Sequence, residues 1–263
     1  MANLLSTGNV YQKCDEPMCQ FPVCNNINLC TKTTTFKEGK WLGTGDDIIV
    51  VDTPGFSYID EHLFEQNDQF IEQMIKILHD DIKIANAVIL AVNGKDMSRT
   101  MPLGMVQMLK SLERSFGQDL WKNLIISITN WSYAEDEVLE RRRNGQTDVE
   151  IKTNWNVELK EKLNISHDTP FTFIDAYSQL DWNKKNKNLD PLRHEKFEKG
   201  TSELLAFIQN SEEFSFKNAK ELKREKRELN HQVELLNDVI TTNTADMNGK
   251  FENVNQKLVK FIK

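Results

Sequence analysis

The stretch Ile48-Ile49-Val50-Val51-Asp52-Thr53-Pro54-Gly55 decides the fold class. Four consecutive β-branched apolar residues predict a strand buried on both faces, because a strand covered on both sides is apolar at every position and does not alternate. The strand ends on a carboxylate, and Pro54 and Gly55 then indicate a turn. In open α/β sheets, ligands bind at this carboxyl end of the strands. An ordinary turn after a structural strand is the alternative interpretation.

Strands and helices alternate along the first four fifths of the chain. Apolar runs predict three more strands, and apolar residues at three- and four-residue spacing predict helices between them. Two further helices are expected on either side of Asn144-Gly145, and a last one over about 192–209. We therefore predict an α/β fold with a mainly parallel sheet and helices on both faces. The further strands are expected at 87–92, 124–128 and 171–174, and the first helices within 70–82 and 105–116.

Length and charge limit the classes of function. A chain of 263 residues can form one globular domain, expected over 1–214, and an extension over 215–263. The net charge of −7 argues against a general nucleic-acid surface. No apolar run approaches the roughly 18 to 20 residues that span a bilayer, and we interpret the protein as cytoplasmic.

Two local patterns are interpreted as structural. The four cysteines, Cys14, Cys19, Cys24 and Cys30, do not show the paired spacing of zinc ligands, so free thiols are expected and a zinc site is the alternative. The basic triplet Arg141-Arg142-Arg143 is expected to be a solvated helix face, with a binding site as the alternative.

Heptad spacing begins beyond Phe216. One core position holds leucines, and the other holds Val233, Ile240, Met247 and one lysine, Lys226. The pattern predicts a coiled coil and hence a homo-oligomer. A single amphipathic helix that packs back on the domain is the alternative. The leucines are Leu222, Leu229 and Leu236.

Three segments together resemble one protein family. They are Cys30-Thr31-Lys32, the Asp-Thr-Pro-Gly stretch, and Phe116-Gly117 followed by Trp121-Lys122-Asn123. These segments are similar to the immunity-associated (IMAP or IAN) GTPases with an AIG-type G domain, relatives of septins and of the chloroplast Toc GTPases. The resemblance covers about residues 6–216. It implies a Ras-like G domain that binds GTP or GDP with magnesium and that often assembles through its nucleotide face.

The resemblance also implies roles for single residues. Thr31 would ligate magnesium through its hydroxyl, and Asp52 would hold the ion through a water molecule. Thr53 and Pro54 continue the second switch, and the Gly55 amide would contact the γ-phosphate. No catalytic base is identified.

The base-contacting loops depart from the family pattern. Thr129-Asn130-Trp131-Ser132 occupies the position that normally reads guanine, and Ser132 replaces the aspartate that accepts two hydrogen bonds from the base. Selectivity for guanine should therefore be weak. Asp175 lies where the last base-contacting loop is expected.

The largest departure is at the front of the chain. Family members carry G-x-x-x-x-G-K-S before a Thr-Gly-Asn run, whereas here Leu4 and Leu5 stand in place of the lysine and serine before Thr7-Gly8-Asn9. The first strand and the phosphate loop are thus expected to be missing. Either the chain begins late, which we favour, or the protein has lost nucleotide binding and acts as a nucleotide-free scaffold through its coiled coil. An ATPase or other P-loop enzyme is a third possibility, and the missing phosphate loop argues against it as well.

Overall fold

A computed structural model describes most of the first 216 residues and part of the segment beyond them. The chain divides into two units, 1–219 and 220–263, and each is described by itself. The four cysteines, Leu222, Lys226 and everything beyond Met247 lie outside the described residues. For 64–70 only the backbone is described. The described ranges are 1–8, 20–21, 31–55, 64–176, 191–216, 228–229, 231–237 and 239–241, with 244 and 247.

The first unit contains six helices and seven strands among its described residues. Short helical turns join several of them, and a π-helical turn at Leu78–Ile82 extends the second helix. The helices are α1 (Ala2–Thr7), α2 (Phe64–Ile77), α3 (Leu103–Phe116), α4 (Glu135–Arg143), α5 (Asp148–Leu163) and α6 (Pro191–Asn210). The strands are β1 (Thr35–Lys40), β2 (Asp47–Asp52), β3 (Ile84–Ala85), β4 (Val88–Asn93), β5 (Leu124–Thr129), β6 (Phe171–Ile174) and β7 (Phe214–Ser215).

The predicted α/β class is confirmed, and β2, β4, β5 and β6 lie where the four apolar runs indicated. The sheet differs from the prediction. β4, β5 and β6 form a parallel sheet of three strands, while β1 pairs with β2 and β3 pairs with β7, both antiparallel. In place of one mainly parallel sheet there are three sheets, because no described strand joins β2 to β4.

Two apolar clusters cover the parallel sheet. The first lies on the face covered by α2, α3 and α5, and the second lies on the face covered by α1 and α6. Strand β5 contributes Ile126 and Ile128 to the first cluster and Ile125 to the second, and each of these residues is at most 1% exposed. Burial on both faces explains why β5 is apolar at nearly every position.

Local signals set the ends of the surface helices. The break at Asn144-Gly145 is confirmed, since α4 ends at Arg143 and Gly145 adopts a left-handed φ of 60°. Helix α5 then begins with a capping box, in which the Thr147 hydroxyl accepts from the Glu150 amide and the Glu150 carboxylate accepts from the Thr147 amide.

The residues aligned with a phosphate loop form a helix instead. Leu4 and Leu5 lie in α1 and are 2% and 4% exposed, within the second apolar cluster. Helix α1 ends at Gly8, whose φ is 71°. A Cβ atom at Gly8 would lie 2.2 Å from the carbonyl oxygen of Leu42, so the helix end approaches this turn too closely for a side chain.

The described residues of the second unit are helical. Their apolar side chains at the predicted heptad positions are exposed: Leu229 (61%), Val233 (47%), Leu236 (60%), Ile240 (60%) and Met247 (61%). The coiled coil itself stays a prediction, because it requires a second helix.

Candidate functional site

Thr31 and Asp52 are the two candidate metal ligands, and they are in direct contact. The Thr31 hydroxyl donates a hydrogen bond of 2.7 Å to Oδ2 of Asp52 across 21 positions of sequence. Asp52 is the last residue of β2, and both residues are half-buried. The structure therefore brings together a hydroxyl oxygen and a carboxylate at the carboxyl end of a strand.

Burial dominates the electrostatics of Asp52. Loss of solvent raises the pKa of the Asp52 carboxyl above its ordinary value, while the Thr31 hydrogen bond and the α-amino group of Met1 oppose this shift. Burial in turn lowers the pKa of the Met1 amine, with Asp52 acting in the opposite direction. An anion that is half-buried and only partly compensated is a favourable position for a cation.

The donor chemistry at this position fits magnesium. Magnesium prefers oxygen ligands and retains several waters, so one hydroxyl and one carboxylate can form part of its coordination shell. In the part of the chain that the structure describes, no group of three His, Cys, Asp or Glu side chains could hold a metal ion. Thr53 and Pro54 continue from Asp52 into the turn, where Pro54 is buried and the Gly55 backbone is exposed.

A second polar group lies at the carboxyl ends of β4 and β5. The Asn130 amide donates to Oδ1 of Asn93 at 3.1 Å, and the Asn93 amide donates to Asp96 at 2.7 Å. Asn130 has a φ of 54°, which the bend after β5 imposes. The Thr129 hydroxyl donates to the Val92 carbonyl at 3.2 Å, so this predicted site residue links the two strands.

The loop after β5 is fixed by a carboxylate from α5. Asp148 accepts from Nε1 of Trp131 at 2.7 Å and from the hydroxyl of Tyr133 at 2.8 Å. The guanidinium of Arg141 lies 4.2 Å from the centre of the Trp131 ring and donates to the Ser132 carbonyl at 2.6 Å. Hydrogen bonds and stacking thus hold the backbone around Ser132 in one conformation.

Two of the predicted base-contacting side chains have local partners. The Ser132 hydroxyl accepts from the Ala134 amide at 3.2 Å, which is a short local turn. Asp175 follows β6 and its side chain is 1% exposed. One of its carboxylate oxygens accepts from Nε and Nη2 of Arg193 at 2.9 and 2.8 Å, so Asp175 connects the sheet to α6.

The predicted site residues therefore form separate groups. Thr31 and Asp52 are in contact, whereas Thr129, Ser132 and Asp175 lie at the carboxyl ends of β5 and β6. No role was predicted for Asp148 or Arg193, since neither lies in a motif. For Arg141 the expectation of a solvated position is wrong, because its side chain is only 13% exposed and packs on Trp131.

Comparisons with known proteins give no family. No protein-family model matches the sequence, and no curated protein is similar to it. Among the described residues, no helix is long and apolar enough to cross a membrane. Any function must therefore be inferred from the site and from the motifs.

Proposed function

We propose that this chain is a guanine-nucleotide-binding protein of the immunity-associated GTPase type, with low affinity for nucleotide in the form given by this sequence. Thr31 and Asp52 would hold the magnesium ion that accompanies GTP or GDP. The single observation that carries the proposal is the 2.7 Å contact between these two side chains. Thr31 lies before β1 and Asp52 ends β2, and their separation of 21 positions fits the two switch segments that the motifs suggest.

Low affinity follows from the contacts of α1. Leu4 and Leu5 are core residues of the second apolar cluster and supply neither a charge nor a metal ligand. Any phosphate would then depend on the backbone after β2 and on the ion held by Thr31 and Asp52. We expect a dissociation constant for GTP weaker than about 100 µM, which corresponds to a binding free energy of less than about 5.5 kcal/mol.

Ligand-observed NMR with the full chain tests this function. GTP is titrated with and without magnesium, and the expected result is weak binding that requires the ion. Asp52→Asn and Thr31→Val should remove the magnesium dependence. Asp168→Asn is the matched control, because Asp168 is exposed and lies before β6, outside both polar groups of the candidate site. Binding that is absent at millimolar GTP, or that ignores Asp52→Asn, would refute the proposal.

The base preference can be measured in the same experiment. Ser132 offers one weak acceptor in place of two carboxylate oxygens, so GTP and ATP should compete almost equally. Ser132→Asp should shift the ratio toward GTP by about tenfold or more, since one hydrogen bond to a charged group contributes roughly 1.5–3 kcal/mol. An unchanged ratio would show that this loop does not contact the base.

A nucleotide-free scaffold is the second candidate. The observation in its favour is the exposed apolar seam of the second unit, Leu229, Val233, Leu236, Ile240 and Met247. A seam of this spacing is buried when two helices pair, and Val or Ile at one position with Leu at the other favours two strands. The partner would be a second copy of the chain.

Sedimentation of the full chain separates the two candidates. The scaffold predicts a dimer that forms without nucleotide and that Leu229→Asp with Leu236→Asp dissociates. Leu235→Asp is the matched control, because Leu235 is 52% exposed but lies off the seam. A monomer at all concentrations, with or without GTP, would rule out the scaffold.

A further inference from the structure

The sequence contains three Asn-Gly pairs, and the structure describes two of them. Asn93 ends β4 and Asn144 follows α4, while Asn248-Gly249 lies outside the described residues. Asparagine before glycine is chemically labile, because glycine has no side chain to keep its backbone nitrogen away from the preceding side-chain amide. The two described pairs share this local chemistry, so a difference in their reactivity has to come from the fold.

The first pair is held by its surroundings. Oδ1 of Asn93 accepts from the Asn130 side chain at 3.1 Å and from a backbone amide two residues on at 3.3 Å, and its Nδ2 donates to Asp96 at 2.7 Å. Gly94 is equally confined, since a Cβ atom there would lie 2.8 Å from the carbonyl oxygen of Thr129. To react, the Asn93 side chain would have to give up three hydrogen bonds.

The second pair is open to solvent. Asn144 is exposed, and within the described part of the chain its side-chain amide makes no hydrogen bond. The Gly145 amide donates to the Arg142 carbonyl at 3.3 Å, which is long for such a bond, and it lies at the end of α4, where helices open most readily. A local opening of this turn is enough to bring the Gly145 nitrogen to the Asn144 side chain.

A cation lies beside the atoms that would react. Nε of Arg99 donates to the Asn144 carbonyl, and Nη2 of Arg99 would lie 2.6 Å from a Cβ atom at Gly145. Negative charge develops on the Gly145 nitrogen when it loses its proton, and then on the oxygen of the attacked amide. A guanidinium at this position stabilises both charges.

We propose that Asn144 is a site of spontaneous deamidation, and that the modification loosens the loop that contains Ser132. The Gly145 nitrogen loses its proton and forms a bond to Cγ of Asn144, while the bond from Cγ to the side-chain nitrogen breaks and releases ammonia. The product is a five-membered cyclic imide. One water molecule then opens the imide. Cleavage at Cγ gives aspartate, and cleavage at the main-chain carbonyl carbon gives isoaspartate, in which the backbone runs through Cγ. No oxidation or reduction is involved.

The contacts of this turn show what the modification would change. The Gln146 amide donates to the Arg141 carbonyl at 2.9 Å, and Arg99 donates to the carbonyl at the end of α4. Isoaspartate adds one carbon to the backbone of this turn, so these contacts cannot all be kept. The same helix carries the Arg141 guanidinium, which stacks on Trp131 and donates to the Ser132 carbonyl. A displaced end of α4 should weaken both contacts, whether or not the loop binds a nucleotide.

The experiment incubates the full chain at neutral pH and physiological temperature. Peptide mapping by mass spectrometry measures deamidation at each Asn-Gly pair, and an isoaspartyl methyltransferase assay on the separated peptides identifies isoaspartate. Asn144 should react at least about tenfold faster than Asn93, because the hydrogen bonds of Asn93 must break first. In the urea-unfolded chain the two rates should agree within about threefold, since unfolding removes the contacts that distinguish the two sites.

These rates decide the first part of the proposal without any variant. Equal rates at Asn93 and Asn144 in the folded chain would overturn it. So would a difference of the same size that persists in urea, because the difference would then originate in the local sequence and not in the fold.

Amide exchange followed by NMR tests the effect on the loop. The indole N–H of Trp131, which donates to Asp148, should exchange at least about fivefold faster in the fraction that contains isoaspartate. Asn144→Gln is the matched control, because glutamine would have to form a less favourable six-membered ring. After the same incubation this variant should show unchanged exchange at Trp131. Unchanged exchange in the isoaspartate fraction, or equal acceleration in Asn144→Gln, would overturn the link between this turn and the loop.

Discussion

Replacing Asp148 should be the most informative single change near the candidate base loop. Its carboxylate accepts from the Trp131 ring nitrogen and from the Tyr133 hydroxyl, at 2.7 and 2.8 Å. Hydrogen bonds to a charged group contribute roughly 1.5–3 kcal/mol each. Asp148 is half-buried, so the lower end of that range applies. We expect Asp148→Ala to reduce the free energy of unfolding by about 3 kcal/mol.

Urea denaturation measures this cost. For a domain of this size, a loss of about 3 kcal/mol moves the midpoint by roughly 1 M. Asp136→Ala is the matched control, because Asp136 also lies in the first turn of a helix but is exposed. The control should change the free energy of unfolding by less than about 0.5 kcal/mol.

A double-mutant cycle with Tyr133→Phe isolates one of the two bonds. Tyr133→Phe removes the hydroxyl donor and should cost about 1.5 kcal/mol in the wild type but little in Asp148→Ala. Strict additivity of the two costs, or an Asp148→Ala variant as stable as the Asp136→Ala control, would refute the view that Asp148 holds this loop.

Three further changes test other contacts. Burial raises the pKa of Asp52 above its ordinary value of 3.8, so the fold favours the protonated carboxyl. The stability that this preference contributes is fully present below pH 3.8 and is lost as the pH rises through the raised pKa. Asp52→Asn should therefore raise the melting temperature at pH 7 but not at pH 3, and equal shifts at both pH values would contradict this. Gly8→Ala puts an alanine in a left-handed conformation and brings its Cβ atom against the Leu42 carbonyl. Chemical denaturation should therefore show a loss of about 2 kcal/mol in the free energy of unfolding. An unchanged free energy of unfolding would mean that α1 does not approach this turn. Arg193→Ala removes the guanidinium that pairs with the buried Asp175 carboxylate, so urea denaturation should show a loss of about 3 kcal/mol in the free energy of unfolding. A loss below about 0.5 kcal/mol would argue against the ion pair.

Four of the seven described strands and most of the helices could be predicted because their signals are local. The nearly continuous apolar run Leu124–Ile128 forms β5, and it is apolar because both faces of the strand are covered. The break at Asn144-Gly145 was likewise visible, since Gly145 tolerates the left-handed conformation that separates α4 from α5. The short pairing of β3 with β7 was missed, because two-residue strands have no periodicity.

The contact between Thr31 and Asp52 was suggested by motif, but the roles of other polar residues were not. Asp148, Arg141 and Arg193 act through partners that are 9 to 18 positions away and outside their own helices. Nothing in the local composition of these residues separates them from exposed charges nearby. The same basic triplet contains one half-buried arginine and two exposed ones.

The sequence by itself determined the α/β class, the positions of four strands and the carboxylate at the end of β2, because periodicity and turn chemistry act over a few neighbouring residues. The tertiary structure decided which strands pair. It placed Leu4 and Leu5 in the core and directed the carboxylates of Asp148 and Asp175 toward side chains of other elements. Such pairings depend on which surfaces meet after the chain has folded, and the residues involved are far apart in sequence.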